Sequence, residues 1–335
     1  MIKHSKPWIT GVDRDAVDHQ LRTGMIAGLD KVNEFEAALA RKVNATGVVS
    51  ATSGTAALIL SLKTLDIGAA NDHEVILPSY VCPTVMHAVA TAGAKPILCD
   101  SGEFWNATEE TISERFGPRT KAIIAVNIFG ISAQLAGLRR HGHFLIEDHC
   151  QSFGLPDPIF GSAAVYSFYA TKCLTTAEGG AVAFFKQDFV SRANTLRRHN
   201  VVPGTLSDLQ AALGLSQLSR YEEMLHRRRK IASAYLSELP EHVTHKISKV
   251  ADRSMFYRFP IWMPGDFDSI SERFAERGVM VGRAVSLLLH RLLGLKDDEF
   301  PNAVQAFNNT VSIPIYPAMS DEDVSKVIDA VRAIA

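Results

Sequence analysis

The sequence predicts an α/β fold in which a parallel β-sheet is covered by helices on both faces, followed by a small α+β domain. Short β-rich runs between residues 47 and 150 are apolar almost throughout, as strands buried on both faces are. Helix-like stretches separate these runs, and alternating strands and helices indicate parallel pairing. The pattern changes to one long helical segment after residue 205. A chain of 335 residues is long enough for one large and one smaller domain.

Seven strands are predicted in the first part of the chain. They are GVVSAT (47–52), EVILP (74–78), KPILCD (95–100), KAIIAVN (121–127), HFLIED (143–148), AAVYSFYA (163–170) and GAVAFF (180–185), and the first helices among them cover 55–65 and 85–93. Ligands of such sheets bind at the carboxyl ends of the strands. We therefore expect residues 52–55, residues 78–82, Asn127 and Asp148 to lie on one rim.

A turn-rich break at residues 200–205 precedes the long helical segment. We predict a single helix over residues 207–239, capped by Ser207 or Asp208. The charged run HRRRK (226–230) within it is expected to form the solvated face of that helix.

The remainder of the chain predicts a small mixed domain. Its elements are a strand at 255–263, a helix at 266–278 and a final helical segment at 320–334. Ser320 and Asp323 form a capping pair at the start of that last segment. The predicted large domain comprises residues 1–215, including the N-terminal segment. The predicted small C-terminal α+β domain comprises residues 216–335.

The net charge, the apolar runs and the cysteines limit the partners and the cellular location that we expect for this chain. The net charge of −1 gives no reason to expect a nucleic acid or an anionic membrane as partner. The start, MIKHSKPWIT, lacks the apolar core of a signal peptide, and no apolar run approaches the roughly 20 residues that span a bilayer. The four cysteines form no CxxC pair and indicate reduced thiols, without a zinc site or a disulfide. We expect a cytoplasmic protein.

Lys172 is isolated from other charged residues. It is the only lysine between Lys121 and Lys186, and no other charged residue occurs from Gly161 to Ala177. A desolvated lysine tends toward a lower pKa and can form a Schiff base with a carbonyl compound. The ordinary alternative is a lysine that points into solvent.

Two further features lie at predicted strand ends. Asp148 ends an apolar strand, where it could cap the next turn or hold the cationic ring nitrogen of a pyridoxal cofactor. Ser53, Gly54 and Thr55 form a turn into a helix, which is either an ordinary cap or an anion site. No GxGxxG or P-loop motif occurs. Together with Lys172, these groups match what pyridoxal 5′-phosphate needs for its phosphate, ring nitrogen and aldehyde.

Motifs along nearly the whole chain resemble the DegT/StrS-type family of sugar aminotransferases, which are fold-type I pyridoxal-phosphate enzymes. The segments that carry the resemblance, in family order, are SATSGTAALILSL, EVILPSYVCPTVMHAVATAGAKPILCD, LIEDHCQSFG, YSFYATKCLTTAEGGAVAF, LSDLQAALGLSQL and SIPIYPAMSDEDVSKVI. The most specific pattern is Asp-x-x-Gln followed by Ser-x-x-x-x-Lys and Glu-Gly-Gly. The resemblance implies a mostly parallel central sheet flanked by helices, plus the small C-terminal domain.

The resemblance also implies roles for individual residues. Lys172 would bind the cofactor aldehyde and then move protons at the substrate carbon, while Asp148 would hold the pyridinium nitrogen. The remaining cofactor contacts would be Gln151 near the ring and Gly54, Thr55 and Ser167 at the phosphate. Glu178 would shape the loop.

Some positions depart from the family pattern. Cys82 stands where many relatives stack an aromatic residue on the cofactor, and Pro203 stands where many have an asparagine that reaches the phosphate across a dimer. His290 occupies a region where relatives often carry a histidine near the substrate, the alternative being a structural or surface histidine. His149, which flanks Asp148, is expected either to support Asp148 from outside the site or to be a packing residue.

The function that follows is transfer of an amino group from glutamate or glutamine to a keto-sugar, with a nucleotide-linked sugar as the family's commonest acceptor. A homodimer with active sites built from both chains is implied by resemblance. Two alternatives are a pyridoxal-phosphate-dependent sugar lyase or dehydratase and a non-catalytic regulatory protein that binds the cofactor. The related 3-dehydratases carry histidine at the position of Lys172, so the lysine disfavours that class.

Overall fold

A seven-stranded sheet forms the centre of the computed structural model, which describes residues 1–70, 72–133, 136–155, 158–202 and 204–335. Its strands, in chain order, are β1 (Gly47–Ala51), β2 (Glu74–Pro78), β3 (Lys95–Cys99), β4 (Thr120–Val126), β5 (Phe144–Asp148), β6 (Ala163–Ser167) and β7 (Gly180–Phe184). They lie in the order β1-β7-β6-β5-β4-β2-β3. Every neighbouring pair is parallel except those of β7, which runs antiparallel to β1 and β6. The predicted mostly parallel α/β sheet is confirmed.

Helices cover both faces of this sheet. They are α1 (Gly11–Thr23), α2 (Asp30–Lys42), α3 (Gly54–Thr64), α4 (Pro83–Thr91), α5 (Glu109–Ser113), α6 (Gln187–Arg198) and α7 (Asp208–Ser219). Val48 packs in a buried cluster with Phe35 of α2, whereas the next residue, Val49, belongs to the cluster that contains Leu58 of α3. Successive strand residues face opposite sides. Apolar packing on both sides explains why the strands are apolar almost throughout.

The long helix predicted over residues 207–239 is two helices. α7 ends at Ser219, and α8 (Tyr221–Glu238) follows after Arg220, whose backbone leaves the helical conformation at φ −111° and ψ 12°. Ser207 is the N-cap of α7: its Oγ accepts a hydrogen bond from the N–H of Gln210 at 3.3 Å. Asp208 instead accepts hydrogen bonds from the N–H of Gly28, before α2, and from the N–H of Val32, in the first turn of α2.

The C-terminal part contains the predicted mixture of helices and strands. Its elements after α8 are α9 (Glu241–Ser248), β8 (Phe259–Trp262), α10 (Phe267–Glu276), α11 (Leu289–Leu292), α12 (Pro301–Asn309), β9 (Thr310–Ile313) and α13 (Asp321–Ile334). Strands β8 and β9 form an antiparallel pair. The strand predicted over 255–263 is shorter because its first residues bond elsewhere. Met255 N–H donates to Gly130 O at 3.0 Å and Arg258 N–H donates to Phe129 O at 3.3 Å.

The two parts of the chain share contacts and a core. Leu77 of the sheet and Phe259 of β8 belong to the same buried apolar cluster. Trp105 Nε1 donates a hydrogen bond to Thr310 Oγ1 at 2.8 Å. The chain start also joins the C-terminal part, since Ile2 N–H donates to the carbonyl of Gly278. The predicted domain boundary after residue 215 lies within α7 and stays a prediction.

Among the helices that the structure describes, none is long and apolar enough to cross a membrane. The four cysteines, Cys82, Cys99, Cys150 and Cys173, are unpaired. Within the described ranges, no group of three or more histidine, cysteine or acidic residues is placed to hold a metal ion.

Candidate active site

A cavity of about 390 Å³ opens at the rim where the parallel strands end. This volume lies in the range of small-molecule sites. The predicted cofactor residues that line it are Gly54, Thr55, Asp148, Gln151, Ser167 and Lys172. Cys82 and Glu178 line it as well. The structure therefore brings all six predicted cofactor residues to one cavity, and it does not place His290 among the lining residues.

The N-terminus of α3 forms one wall of this cavity. Ser53 is the N-cap, and its Oγ accepts a hydrogen bond from the N–H of Ala56 at 3.1 Å. The N–H groups of Gly54 and Thr55 have no partner among the described residues. Free N–H groups and the helix dipole make such a helix start favourable for an anion.

Glycines allow close packing around the α3 terminus. A Cβ at Gly54 would lie 2.9 Å from the Cβ of Ser167 and 3.0 Å from the Sγ of Cys150. A Cβ at Gly180, the first residue of β7, would lie only 2.3 Å from the carbonyl oxygen of Ser53. The second glycine of the Glu-Gly-Gly motif is thus required for β7 to approach the helix that carries the free N–H groups.

Asp148 closes the floor of the cavity at the end of β5. Its side chain is buried, and its Oδ1 accepts a hydrogen bond from the N–H of Cys150 at 2.9 Å. That bond fixes the carboxylate at the rim. The Cys150 thiol also interacts with this carboxylate, and the carboxylate has lone pairs left to accept a hydrogen bond from a ligand.

The neighbours of Asp148 in sequence form a separate buried pair. Glu147 Oε1 accepts hydrogen bonds from the N–H groups of Phe160 and Gly161, both at 2.6 Å. Its Oε2 lies 3.2 Å from His149 Nε2, and His149 Nδ1 lies 2.9 Å from Ser152 Oγ. His149 is therefore a buried packing residue, one of the two roles expected for it.

Gln151 ties the cavity to the turn that follows β4. Its Oε1 accepts a hydrogen bond from Phe129 N–H at 2.8 Å. Phe129 and Gly130 both adopt left-handed backbone conformations, with φ of 59° and 81°. The side-chain amide N–H groups of Gln151 have no partner among the described residues and are free to donate to a ligand.

Lys172 lies in the loop between β6 and β7, where its backbone N–H donates to Tyr169 O at 2.8 Å. Its Nζ sits 5.1 Å from the centre of the Tyr257 ring. Burial acts to lower the pKa of Lys172, but attraction from Tyr257, Cys150 and Asp148 outweighs it and raises the pKa above the ordinary value, against repulsion from Arg258. The lowering expected from desolvation alone is therefore wrong, because these partners meet Lys172 only in the folded chain.

The two cavity cysteines differ in environment. Burial, with the Asp148 carboxylate adding to it, raises the pKa of the Cys150 thiol well above its usual range. Cys82 is exposed at the start of α4, and its Sγ accepts a hydrogen bond from Thr84 Oγ1 at 3.1 Å.

Glu178 contributes through its backbone to the loop that carries Lys172. Its carbonyl accepts hydrogen bonds from Thr176 Oγ1 at 2.6 Å and from Gln210 Nε2 at 2.8 Å. The bond from Thr176 lies within the loop, and the bond from Gln210 fastens the loop to the first turn of α7. The loop-shaping role expected for Glu178 agrees with this geometry. Pro203, the other family departure, lies outside the described residues.

His290 is held by contacts within the chain. Its Nδ1 lies 2.6 Å from Ser79 Oγ, and its Nε2 lies 2.9 Å from Asp297 Oδ1. Its ring is stacked on Phe300 at a centroid distance of 4.4 Å. Both ring nitrogens are engaged and the side chain is fully buried. These contacts favour the structural alternative; the substrate role of His290 stays a prediction without support from this geometry.

Sequence reasoning missed Arg228 and Tyr257. The HRRRK run is not wholly a solvated face, because Arg228 is only 4% exposed. Its Nη1 donates to the carbonyls of Phe256, Tyr257 and Ile315 at 2.8–3.2 Å. Helical periodicity could have found it, since it falls on the same buried face as Leu225. Nothing in the local sequence marks Tyr257.

Comparison with known proteins agrees with this geometry. The model of the DegT/DnrJ/EryC1/StrS aminotransferase family matches residues 8–332. The spore coat polysaccharide biosynthesis protein SpsC of Bacillus subtilis is 31% identical over 378 residues, covering 99% of this chain and 97% of its own. The dTDP-4-dehydro-2,3,6-trideoxy-D-glucose 4-aminotransferase of Saccharopolyspora spinosa is 27% identical, with coverages of 98% and 95%. The structure of the aminotransferase TlmJ from Streptoalloteichus hindustanus superposes with a TM-score of 0.86 at 28% identity, covering 99% of this chain and 98% of TlmJ.

Proposed function

Because the chain belongs to the DegT/DnrJ/EryC1/StrS aminotransferase family, we propose that this pyridoxal-phosphate-dependent aminotransferase moves an amino group from glutamate or glutamine to a nucleotide-linked keto-sugar, in amino-sugar biosynthesis. The observation that carries the proposal is the convergence of six predicted cofactor residues on one cavity. The relative from Saccharopolyspora spinosa, whose name states a dTDP-linked keto-sugar as substrate, supports this class of acceptor.

The residues around the cavity fit the cofactor. The free N–H groups of Gly54 and Thr55, with the Ser167 hydroxyl beside them, are suited to a phosphate. Because Gly54 has no side chain, the space between the start of α3 and Ser167 stays free; a Cβ at Gly54 would collide with Ser167. Asp148 supplies a carboxylate and Lys172 an amine to the same cavity. Together they match the phosphate, the ring nitrogen and the aldehyde.

When bound, pyridoxal 5′-phosphate supplies the electron sink for negative charge at the substrate carbon and carries the amino group between the two substrates. The Asp148 carboxylate would hold the proton on the ring nitrogen, which would keep that sink effective. Gln151 would orient the ring through its side-chain amide. Lys172 Nζ would hold the aldehyde end of the cofactor and would move a proton at the substrate carbon.

The acceptor can be tested with isotopically labelled donors. Purified enzyme is incubated with glutamate or glutamine, each labelled with heavy nitrogen at the α-amino group, and a panel of dTDP- and GDP-linked keto-sugars, with a keto-cyclitol as the comparison acceptor. We expect mass spectrometry to show label in an amino-sugar nucleotide. Label in the cyclitol alone would contradict the proposed acceptor class while leaving the aminotransferase activity intact.

We also propose that the enzyme is a cytoplasmic homodimer with shared active sites. An apolar groove of about 450 Å³ supports the dimer, and its lining includes Pro7, Ile9, Val17, Leu21, Ala170 and Leu213. Ala170 lies two residues before Lys172, so the groove adjoins the catalytic loop. Ile9 and Leu21 are exposed in the single chain, and so are the nearby Met25 and Ile26. Clustered exposed apolar side chains are typical of an interaction surface.

Light scattering after size exclusion tests the dimer. We expect a mass twice that of the chain, and a shift toward a single chain in Leu21→Asp. Met280→Asp is the matched control, because Met280 is similarly exposed (46% against 53%) but lies in the C-terminal part. A wild-type mass of one chain would contradict the proposed dimer.

A further inference from the structure

The aromatic ring of Tyr257 lies between two cationic side chains. Lys172 Nζ is 5.1 Å from the ring centre, and the guanidinium carbon of Arg258 is 4.8 Å from it. Arg258 Nη2 also donates a long hydrogen bond to the Tyr257 hydroxyl at 3.4 Å. Tyr257 is only 6% exposed, so water screens these contacts little. Cations are attracted to the face of such a ring.

The position of this ring is fixed by the surrounding backbone. Arg228 Nη1 donates to the carbonyls of Phe256 and Tyr257, at 3.2 and 3.1 Å. Phe256 adopts a left-handed backbone with φ of 55°, which directs the chain at this point. These contacts hold the ring of Tyr257 in one place.

The same segment is joined to the cofactor side of the cavity. The N–H of Arg258 donates to Phe129 O, and the N–H of Phe129 donates to Gln151 Oε1. A two-step chain of hydrogen bonds thus connects the segment under Lys172 to a residue that lines the cavity. The backbone next to Tyr257 is thus fixed relative to Gln151.

We propose that Tyr257 is a positioning residue that holds the Lys172 side chain at the cavity as an ammonium ion whenever its Nζ is not bonded to the cofactor. The inference rests on the proposed function, in which Lys172 must be released and then act as a proton carrier. An amine that swung away into solvent would be lost to that task. The aromatic face of Tyr257 holds the ammonium ion near the cavity. A carboxylate is not needed for this, so no ion pair competes with the proton transfer.

The charges that face Lys172 agree with this role. Burial acts against its ammonium form, whereas Tyr257, Cys150 and Asp148 favour that form and Arg258 disfavours it. Burial raises the pKa of Tyr257, but Lys172 and Arg258 lower it and the net direction is downward; the Thr171 hydroxyl adds to the lowering and Cys173 opposes it. Tyr257 and Lys172 thus stabilise each other's charged forms.

The test measures the ionisation of Lys172 directly, without relying on turnover. The full-length chain, with and without pyridoxamine 5′-phosphate, is exposed to an amine-acylating reagent over a range of pH, and mass spectrometry follows Lys172. Removing the ring in Tyr257→Leu should lower the midpoint by about one pH unit, which makes Lys172 about tenfold more reactive at pH below the midpoint. Tyr257→Phe keeps the ring and should show a smaller change.

Matched variants separate this role from a general loss of structure. Tyr166→Phe removes a buried hydroxyl that has no hydrogen-bond partner and should leave the midpoint unchanged. Arg258→Met removes a repelling charge and should not lower it. If Tyr257→Leu does not fold, the midpoint of Lys172 can still be compared between the other two variants. It should fall slightly in Tyr257→Phe and should not fall in Arg258→Met. An unchanged midpoint in both Tyr257 variants, or an equal shift in Tyr166→Phe, would overturn the proposal.

Failure of the proposed function is seen in a different measurement. Wild-type protein is mixed with glutamate or glutamine and 2-oxo acid formation is recorded. A wild type that forms no 2-oxo acid but shows the expected midpoint shifts would contradict the aminotransferase role and leave the Tyr257–Lys172 contact standing. Normal 2-oxo acid formation with no midpoint shift would contradict only the role of Tyr257.

Discussion

Gly54, the first residue of α3, packs directly against Ser167, the last residue of β6. A Cβ at Gly54 would lie 2.9 Å from the Cβ of Ser167, closer than side-chain carbons approach. The same Cβ would lie 3.3 Å from Ser167 Oγ, so the contact brings the N-terminus of the helix next to the Ser167 hydroxyl. The two residues are separated by more than a hundred positions in the chain, and the sheet brings them together.

Gly54→Ala should therefore weaken cofactor binding. The new methyl group must push β6 and α3 apart, which misplaces the proposed phosphate contacts. We expect the dissociation constant for pyridoxal 5′-phosphate, measured by fluorescence or absorbance titration, to rise about tenfold or more. Gly11→Ala is the control, because a Cβ at Gly11 meets no atom within 4 Å. Equal affinities in both variants would contradict the assigned phosphate site.

The two adjacent carboxylates, Asp148 and Glu147, should differ in effect: substitution of the first should lower kcat, and substitution of the second should lower stability. Asp148→Asn should lower kcat on the order of 100-fold, because a neutral amide no longer holds the proton on the ring nitrogen. Glu147→Gln should leave kcat nearly unchanged but cost about 1–3 kcal/mol of unfolding free energy, since it weakens bonds to two backbone N–H groups and His149. Urea unfolding and steady-state kinetics on both variants check this. The reverse pattern would mean that the two side chains have been assigned to the wrong faces.

Arg228→Met should destabilise the protein strongly. Three buried carbonyls, including those of Phe256 and Tyr257, lose their donor. The expected loss is about 3 kcal/mol in urea unfolding. Arg229→Met changes the next residue, which is exposed, and should stay within about 0.5 kcal/mol of wild type. Similar losses in the two variants would contradict the distinction drawn between buried and solvated members of the basic run.

Stability should fall on mild acidification because of His4. Burial, assisted by the Arg258 cation, lowers the pKa of His4 to about 3, while its Nε2 lies 2.9 Å from Ser312 Oγ. Between about pH 6.5 and 3 the unfolded chain binds a proton that the folded chain does not, so stability is complete above pH 6.5 and declines below it. The His4 contribution should fall by about 2 kcal/mol between pH 7.5 and 5.

His4→Gln tests this linkage because it keeps a hydrogen-bonding side chain that cannot be protonated. Urea unfolding of wild type and variant at pH 7.5 and 5 gives the two differences to compare. The variant should lose clearly less stability than wild type over that interval. Parallel losses would show that other groups set the acid sensitivity.

The fold could be predicted from the sequence because it depends on local patterns, whereas the cofactor roles of the six residues that share the cavity stay predictions. Apolar strands predict the parallel sheet, and the strand-end positions of Gly54, Asp148 and Lys172 predict a shared rim. The break at Arg220 was missed because neither glycine nor proline marks it. It arises where α7 and α8 must pack on different partners.

Residues that act through long-range packing could not be predicted in the same way. Tyr257 reaches Lys172 only because Arg228 and the turn at Phe129 hold its segment in place. His290 had a predicted substrate role by its place in the family pattern, yet its partners come from elements far apart in the chain. Side-chain partners of this kind depend on the assembled fold and leave no periodic signal.

The most direct test of the central claim is the visible absorption spectrum of the cofactor-loaded protein before and after addition of glutamate or glutamine, with Lys172→Ala alongside. We predict that one of the two donors abolishes the visible band of the wild type with formation of its 2-oxo acid, and that Lys172→Ala does not convert. A stable band that neither donor changes would contradict the aminotransferase account and favour a lyase or a cofactor-binding regulatory protein.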